Sequence, residues 1–158
     1  MSLATSSFLR VAVTGYLGWR FDLDQIRRIV VDTSDDVEKE IQALLGGAGG
    51  GRQYPMQGSG TYQASSPGDL PAKRTGKLAE SVLARRSDNQ LAAWIGPSTK
   101  KGLKSPFYPA FLVYGTATMA KRKNATTMAM RRYRARFNRQ LSKAMARSEE
   151  HTSELQSL

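Results

Sequence analysis

Apolar positions along the chain follow two different rhythms. Between residues 24 and 45, Ile26, Val30, Thr33, Val37, Ile41 and Leu44 recur at steps of three or four with polar residues between them. That spacing gathers them on one side of an α-helix. Asp24 is the expected N-cap and Gly46 the expected stop. The polar run at 32–36 thins the stripe without breaking its period. Residues 8–21, FLRVAVTGYLGWRF, instead alternate: Leu9, Val11 and Val13 against Arg10, Ala12 and Thr14. This period of two predicts a strand, with Gly15 and Gly18 bracketing a turn or bulge.

Residues 46–74 hold eight glycines and three prolines and show no period. They read as a long flexible loop, mobile in the free monomer. Its GGAGGGR piece follows a helix and lacks a Gly-Lys-Ser/Thr ending, so it is not a phosphate-binding loop. KLAESV (77–82) reads as a helical turn leading into a strand. Val82–Arg86 and Leu91–Ile95 then form a hairpin about residues 87–90. Asp88 and Asn89 there tolerate left-handed conformations. Gly96 and Pro97 are expected to end the second strand, and a basic loop covers 98–105. Tyr108–Tyr114 is apolar and aromatic and stops at Gly115. From Asn124, an expected N-cap, to Ala146, Met130, Tyr133, Phe137, Leu141 and Ala144 recur at helical spacing. The expected class is therefore α+β: a small antiparallel sheet packed with an N-terminal amphipathic helix and a basic C-terminal helix.

The last twelve residues, RSEEHTSELQSL (147–158), resemble the in-frame translation of a short-read sequencing adapter. They are set aside from fold reasoning, and the natural sequence is expected to diverge near Ala146. Residues 1–146 then read as one domain. They carry a net charge of +13 within a chain total of +11. Charge is segregated: −2 over residues 1–69, +6 over 70–116 and +9 over 117–146. A balance this basic implies an acidic partner.

The chain has no cysteine, and its one histidine, His151, lies in the set-aside tail. A disulfide framework, thiolate chemistry and His-based catalysis are excluded for residues 1–146, and no cofactor or metal is expected. Asp35/Asp36 and Glu38/Glu40 sit together on the first helix and read as a solvated acidic face rather than an acid–base pair. No apolar run approaches the roughly 18 residues of a membrane span, and the N-terminus lacks the pattern of a secretory leader. RRYRARFNR (131–139) interleaves arginines with two aromatics. Tyr133 and Phe137 fall on the core stripe, which leaves Arg131, Arg132, Arg134, Arg136 and Arg139 for phosphates or for an acidic neighbour. One such neighbour is the acidic helix 24–45 of a second copy, in head-to-tail contact.

Three stretches taken in order, EIQALLGGAGGGRQYP, SSPGDLPAKRTGKLAESV and FYPAFLVYGT followed by a basic turn and helix, resemble the lambdoid siphophage tail-component family. The resemblance covers about residues 24–146. Where its members often enter the last helix through an Arg-Pro-Phe-like segment, this chain has Arg122, Lys123 and Asn124. The family comprises small minor tail, tail-completion and head–tail joining proteins. It implies a non-enzymatic virion protein of the tail or neck, assembled in the host cytoplasm. The implied partners are further copies in a ring, for preference six-fold, together with connector and tail-tube proteins, and non-specific DNA contact. The resemblance also implies that Thr75, Gly76, Leu78 and Ser81 fix the start of the hairpin. Tyr108, Phe111, Tyr114, Gly115 and Thr116 would pack a crossing segment on the sheet, with Gly76 and Gly115 serving positive φ or close approach. The alternative reading is a basic nucleic-acid-binding protein.

Overall fold

Helix α1 (Leu23–Leu45) carries the predicted stripe through Ile26, Val30, Thr33, Val37 and Ile41, but its last buried member is Leu45, with Leu44 only half-buried. The computed structural model describes residues 7–10, 22–56, 58, 60–101, 103 and 108–155, with side chains described between 22 and 146. The N-cap is Asp22, not Asp24. Asp22 Oδ1 accepts the Gln25 N–H at 2.9 Å, while Asp24 lies in the first turn and pairs with Arg27 at 2.7 Å. Ser34 is the polar member of the stripe. Its hydroxyl donates to the Val31 carbonyl at 2.7 Å and accepts from Arg86 Nε at 3.1 Å, so its burial leaves no unmet group.

The chain is α+β, as its patterning predicts. Strands β1 (Ser7–Arg10), β4 (Val82–Arg86) and β5 (Ala92–Pro97) form an antiparallel sheet in the order β1-β5-β4. Phe8 lies opposite Trp94, and Ala84 opposite Ile95. The alternation predicted over 8–21 is described only as far as Arg10; Val11, Val13 and the turn at Gly15 and Gly18 lie outside the described residues. Gly96 and Pro97 extend β5 rather than ending it. In the β4–β5 connection the left-handed residue is Gln90 (φ 57°), not Asp88 or Asn89. Asn89 instead uses its carboxamide oxygen to accept the Leu91 N–H at 3.1 Å. A turn closed by the Gln90 N–H on the Ser87 carbonyl, with its last residue left-handed, is a standard hairpin solution.

Helix α4 (Ala125–Leu155) is capped by Asn124, whose Oδ1 accepts the Thr127 N–H at 3.2 Å. It packs antiparallel to α1, as the pairing of the core shows. Ile26 and Val30 of α1 meet Ala93, Phe137 and Ala144. Val37, Ile41 and Leu45 meet Val82, Ile95, Ala125 and Ala129. The alanines on α4 let the two helix backbones approach, and each Ile or Val buried here contributes about 1.5–3 kcal/mol. The helix runs on through residue 155, past the expected end at 146. Residues 147–155 contain no Gly or Pro, and prolonging a helix already nucleated needs no further nucleation.

Residues 46–74 are not structureless. Strands β2 (Gln53–Pro55) and β3 (Thr61–Gln63) pair antiparallel. Bonds from Gly51 N to Ala64 O (2.8 Å) and from Ala64 N to Arg52 O (2.9 Å) lengthen the ladder. A Cβ at Gly49 would stand 2.2 Å from the Ala64 carbonyl oxygen. The glycine run is thus where one strand end lies against the other. Its two ends are joined by Lys73 N to Gly47 O (2.9 Å), and it is tied to the body at two points, Gly68 N to Lys121 O (3.1 Å) and Lys123 N to Asp69 O (2.9 Å). Strands of three residues with Gln53, Tyr54 and Pro55 all exposed leave no alternation to read.

Candidate functional site

Asp35, Asp36, Glu38 and Glu40 of α1 are paired within the chain, which corrects their reading as a solvated face. Asp35 forms an ion pair with Arg86. Asp36 Oδ2 lies 3.1 Å from Arg136 Nη1, and Glu40 pairs with Arg132. The Glu38 side chain is only 18% exposed; it accepts the Ala84 N–H and the Gln42 side-chain amide. Among the described residues no three His, Cys, Asp or Glu side chains converge as metal ligands, and no helix is long and apolar enough to cross a membrane.

The same pairs show that the acids and bases expected to dock between copies already meet in part within one chain. The acidic face of α1 meets the basic face of α4 inside one protomer, through Arg132 and Arg136. Of the five singled-out arginines, Arg131, Arg134 and Arg139 are exposed and make no ion pair among the described residues. Phe137 is 6% exposed, and Tyr133 is half-buried and packs on the core.

Thr75, Gly76, Leu78 and Ser81 surround the short helix α2 (Lys77–Glu80). Gly76 stands at its N-cap with φ 78°. Leu78 packs against the α1 core. Ser81 is fully buried; its hydroxyl donates to the Leu78 carbonyl at 2.7 Å, and its own carbonyl accepts the Ser98 N–H at 2.8 Å. These bonds hold the start of β4 against the end of β5. Thr75 is exposed.

The FYPAFLVYGT segment differs from expectation. Tyr108–Tyr114 forms a helix, α3, not a crossing segment whose aromatics pack on the sheet. Pro109, Ala110 and Leu112 face inward, whereas Tyr108 and Phe111 are almost half exposed and Tyr114 is 68% exposed. Residues three apart on a helix share a side, so the three aromatics form one outward face. Gly115 (φ 79°) ends α3, its N–H bonding the Phe111 carbonyl at 2.8 Å. That is the left-handed cap glycine favours. The Thr116 hydroxyl accepts the Met119 N–H at 3.1 Å and closes the next turn. A segment apolar at nearly every position offers no contrast from which to tell the inner face from the outer.

A second exposed feature went unread in the sequence. Tyr54 and Tyr62 lie opposite each other on β2 and β3, their rings stacked with centroids 5.7 Å apart. The guanidinium of Arg52 lies 5.8 Å from the Tyr54 ring centroid and that of Arg74 lies 5.0 Å from the Tyr62 centroid. The two arginines are 22 residues apart in the chain, so no local spacing announces the cluster.

Compared with known proteins, the chain matches no family model, no curated protein and no solved structure.

Proposed function

We propose that this chain is a structural component of a tailed-phage virion, acting in tail completion or head–tail joining by interface formation and not by catalysis. The observation that carries the reading is the outward aromatic face of α3. It lies in one of the three stretches on which the family resemblance rests. Large apolar side chains held outward on an ordered helix suit a surface that another protein covers. Asp35, Asp36, Glu38 and Glu40 each hold a partner within the fold, which speaks against their acting as an acid–base pair. The occupant proposed for the aromatic face is a neighbouring copy in a ring, with connector and tail-tube proteins above and below.

Native mass spectrometry of the full chain over a concentration series tests this. Closed oligomers, six-fold for preference, are expected in the unaltered chain. The double variant Tyr108→Ser/Tyr114→Ser should remain folded and lose them. Monomers at every concentration, or oligomers that ignore the double variant, would remove the α3 face as the assembly surface.

A further inference from the structure

We propose that the base of the β2–β3 hairpin, with the strap at residues 121–122 laid against it, binds the phosphate backbone of duplex DNA without regard to sequence. The inference is independent of the assembly reading, and it places phosphate contact away from the arginine-rich face of α4.

Two guanidiniums sit at the tyrosine rings, and the strap adds Lys121 and Arg122 alongside. The guanidiniums of Arg52 and Arg74 lie over the stacked Tyr54 and Tyr62 rings, 5.8 and 5.0 Å from their centroids. The Arg52 carbonyl accepts the Ala64 N–H. The next residue, Ser65, accepts from Arg122 Nε at 2.7 Å. Lys121 is held beside them through its carbonyl, which takes the Gly68 N–H at 3.1 Å. Among the described residues none of the four has a carboxylate partner. Asp69, five residues before Arg74, pairs with Lys123 at 3.9 Å. By contrast, Arg132 and Arg136 on α4 already have carboxylates.

The stacking decides what the site can recognise. Tyr54 and Tyr62 stack on each other, and each also carries a guanidinium, Arg52 at the first and Arg74 at the second. A base stacking on either ring would compete with these contacts, which disfavours single-stranded nucleic acid. A guanidinium lying over an aromatic ring keeps its in-plane N–H edges directed away from it, the geometry that receives phosphate oxygens in pairs. The site has cations and tyrosines but no buried apolar centre of the kind a protein interface needs. A regular line of phosphates is the ligand that asks for charge alone, with sequence-independent contacts.

The test is fluorescence anisotropy of the full chain with short labelled duplexes of two unrelated sequences, from low to physiological ionic strength. The unaltered chain should bind both alike, with affinity falling log-linearly as salt rises. Arg52→Gln/Arg74→Gln should bind at least about tenfold more weakly and flatten the slope by about 2, since each phosphate contact contributes about 0.9. Arg131→Gln/Arg134→Gln/Arg139→Gln on α4 should keep most of the affinity. Both variants alter exposed side chains, and circular dichroism checks that they fold. No binding by the unaltered chain, unchanged binding by the hairpin variant, or loss confined to the α4 variant would overturn the proposal. So would polyglutamate competing as well as duplex DNA at equal charge, which would assign the patch to an acidic protein. Oligomerisation is read separately, so either inference can fail alone.

Discussion

Glu38 on α1 accepts the backbone N–H of Ala84 on β4, Oε2 to N at 2.7 Å, across 46 residues of chain. β4 is the edge of its sheet, and Ala84 sits where its N–H points away from β5. Beside it, the Val82 carbonyl accepts from Gln42 Nε2 at 3.4 Å and from Lys101 Nζ at 3.5 Å. One helix therefore covers the hydrogen-bonding groups through which an edge strand would recruit a foreign strand.

Removing that cover should cost stability and solubility together. Glu38→Ala is expected to lose about 1.5–3 kcal/mol, the range for a hydrogen bond to a charged group. It should also self-associate at high concentration. Glu38→Gln keeps an acceptor and should lose less. Urea unfolding and light scattering on the two variants check both effects.

The ion pairs between α1 and α4 should behave as surface pairs. Arg132→Glu faces Glu40 and should destabilise the fold by up to about 1 kcal/mol, less at high salt. Arg131→Glu has no such neighbour and should be nearly neutral. Thermal unfolding of the two variants at low and high salt separates these outcomes. Equal effects would mean that the pair with Glu40 contributes nothing.

Phe137→Ala should cost about 3–5 kcal/mol, the usual range for emptying a buried aromatic site. Phe137 packs where α4 meets Ile26, Val30 and Ala93, and α1 and β5 cannot close that space without shifting against each other. Chemical denaturation with a linear extrapolation measures the loss. A loss below about 1 kcal/mol would show that α4 is not seated on this core.

Gly115→Ala should destabilise the turn after α3 by about 1–2 kcal/mol for the left-handed backbone alone. The added Cβ would also stand 2.9 Å from the Met119 carbonyl oxygen. Because Arg122 N bonds Leu112 O at 2.7 Å across this turn, hydrogen exchange should quicken at residues 112–122 before the rest of the chain. Unchanged protection there would count against the turn as the point that holds α3 to the strap.

Long amphipathic elements were legible in the sequence because burial writes a period into them. The stripe on α1, the Phe137 stripe on α4 and the β4–β5 hairpin all stand where their spacing predicts. Among short or uniformly composed elements, the turn of α2 leading into β4 was also read, but others were not. β2 and β3 have three residues each and no buried face. Tyr108–Tyr114 is apolar throughout, so nothing marked Tyr108, Phe111 and Tyr114 as the outward side. Charge was legible only in part. Segregation of acids on α1 and bases on α4 is visible in the sequence, but whether they meet within a chain or between chains depends on antiparallel packing, which local spacing does not encode. The Tyr54–Tyr62 ladder with Arg52 and Arg74 depends on hairpin register and a returning loop, both tertiary.

The partnership of α1 with α4 sets a timetable for the nascent chain. Asp36 and Arg136 are separated by 100 positions. At about 5–20 residues per second, the ribosome needs on the order of 5–20 s to make one after the other. During that interval Val82 and Ile95 can already cover Val37 and Ile41, because the β4–β5 hairpin is made early and folds locally. Ile26 and Val30 must wait for Phe137. The N-terminal half of α1 is therefore the stretch most open to chaperone capture during synthesis, and slowing translation between codons 97 and 137 should lengthen that exposure.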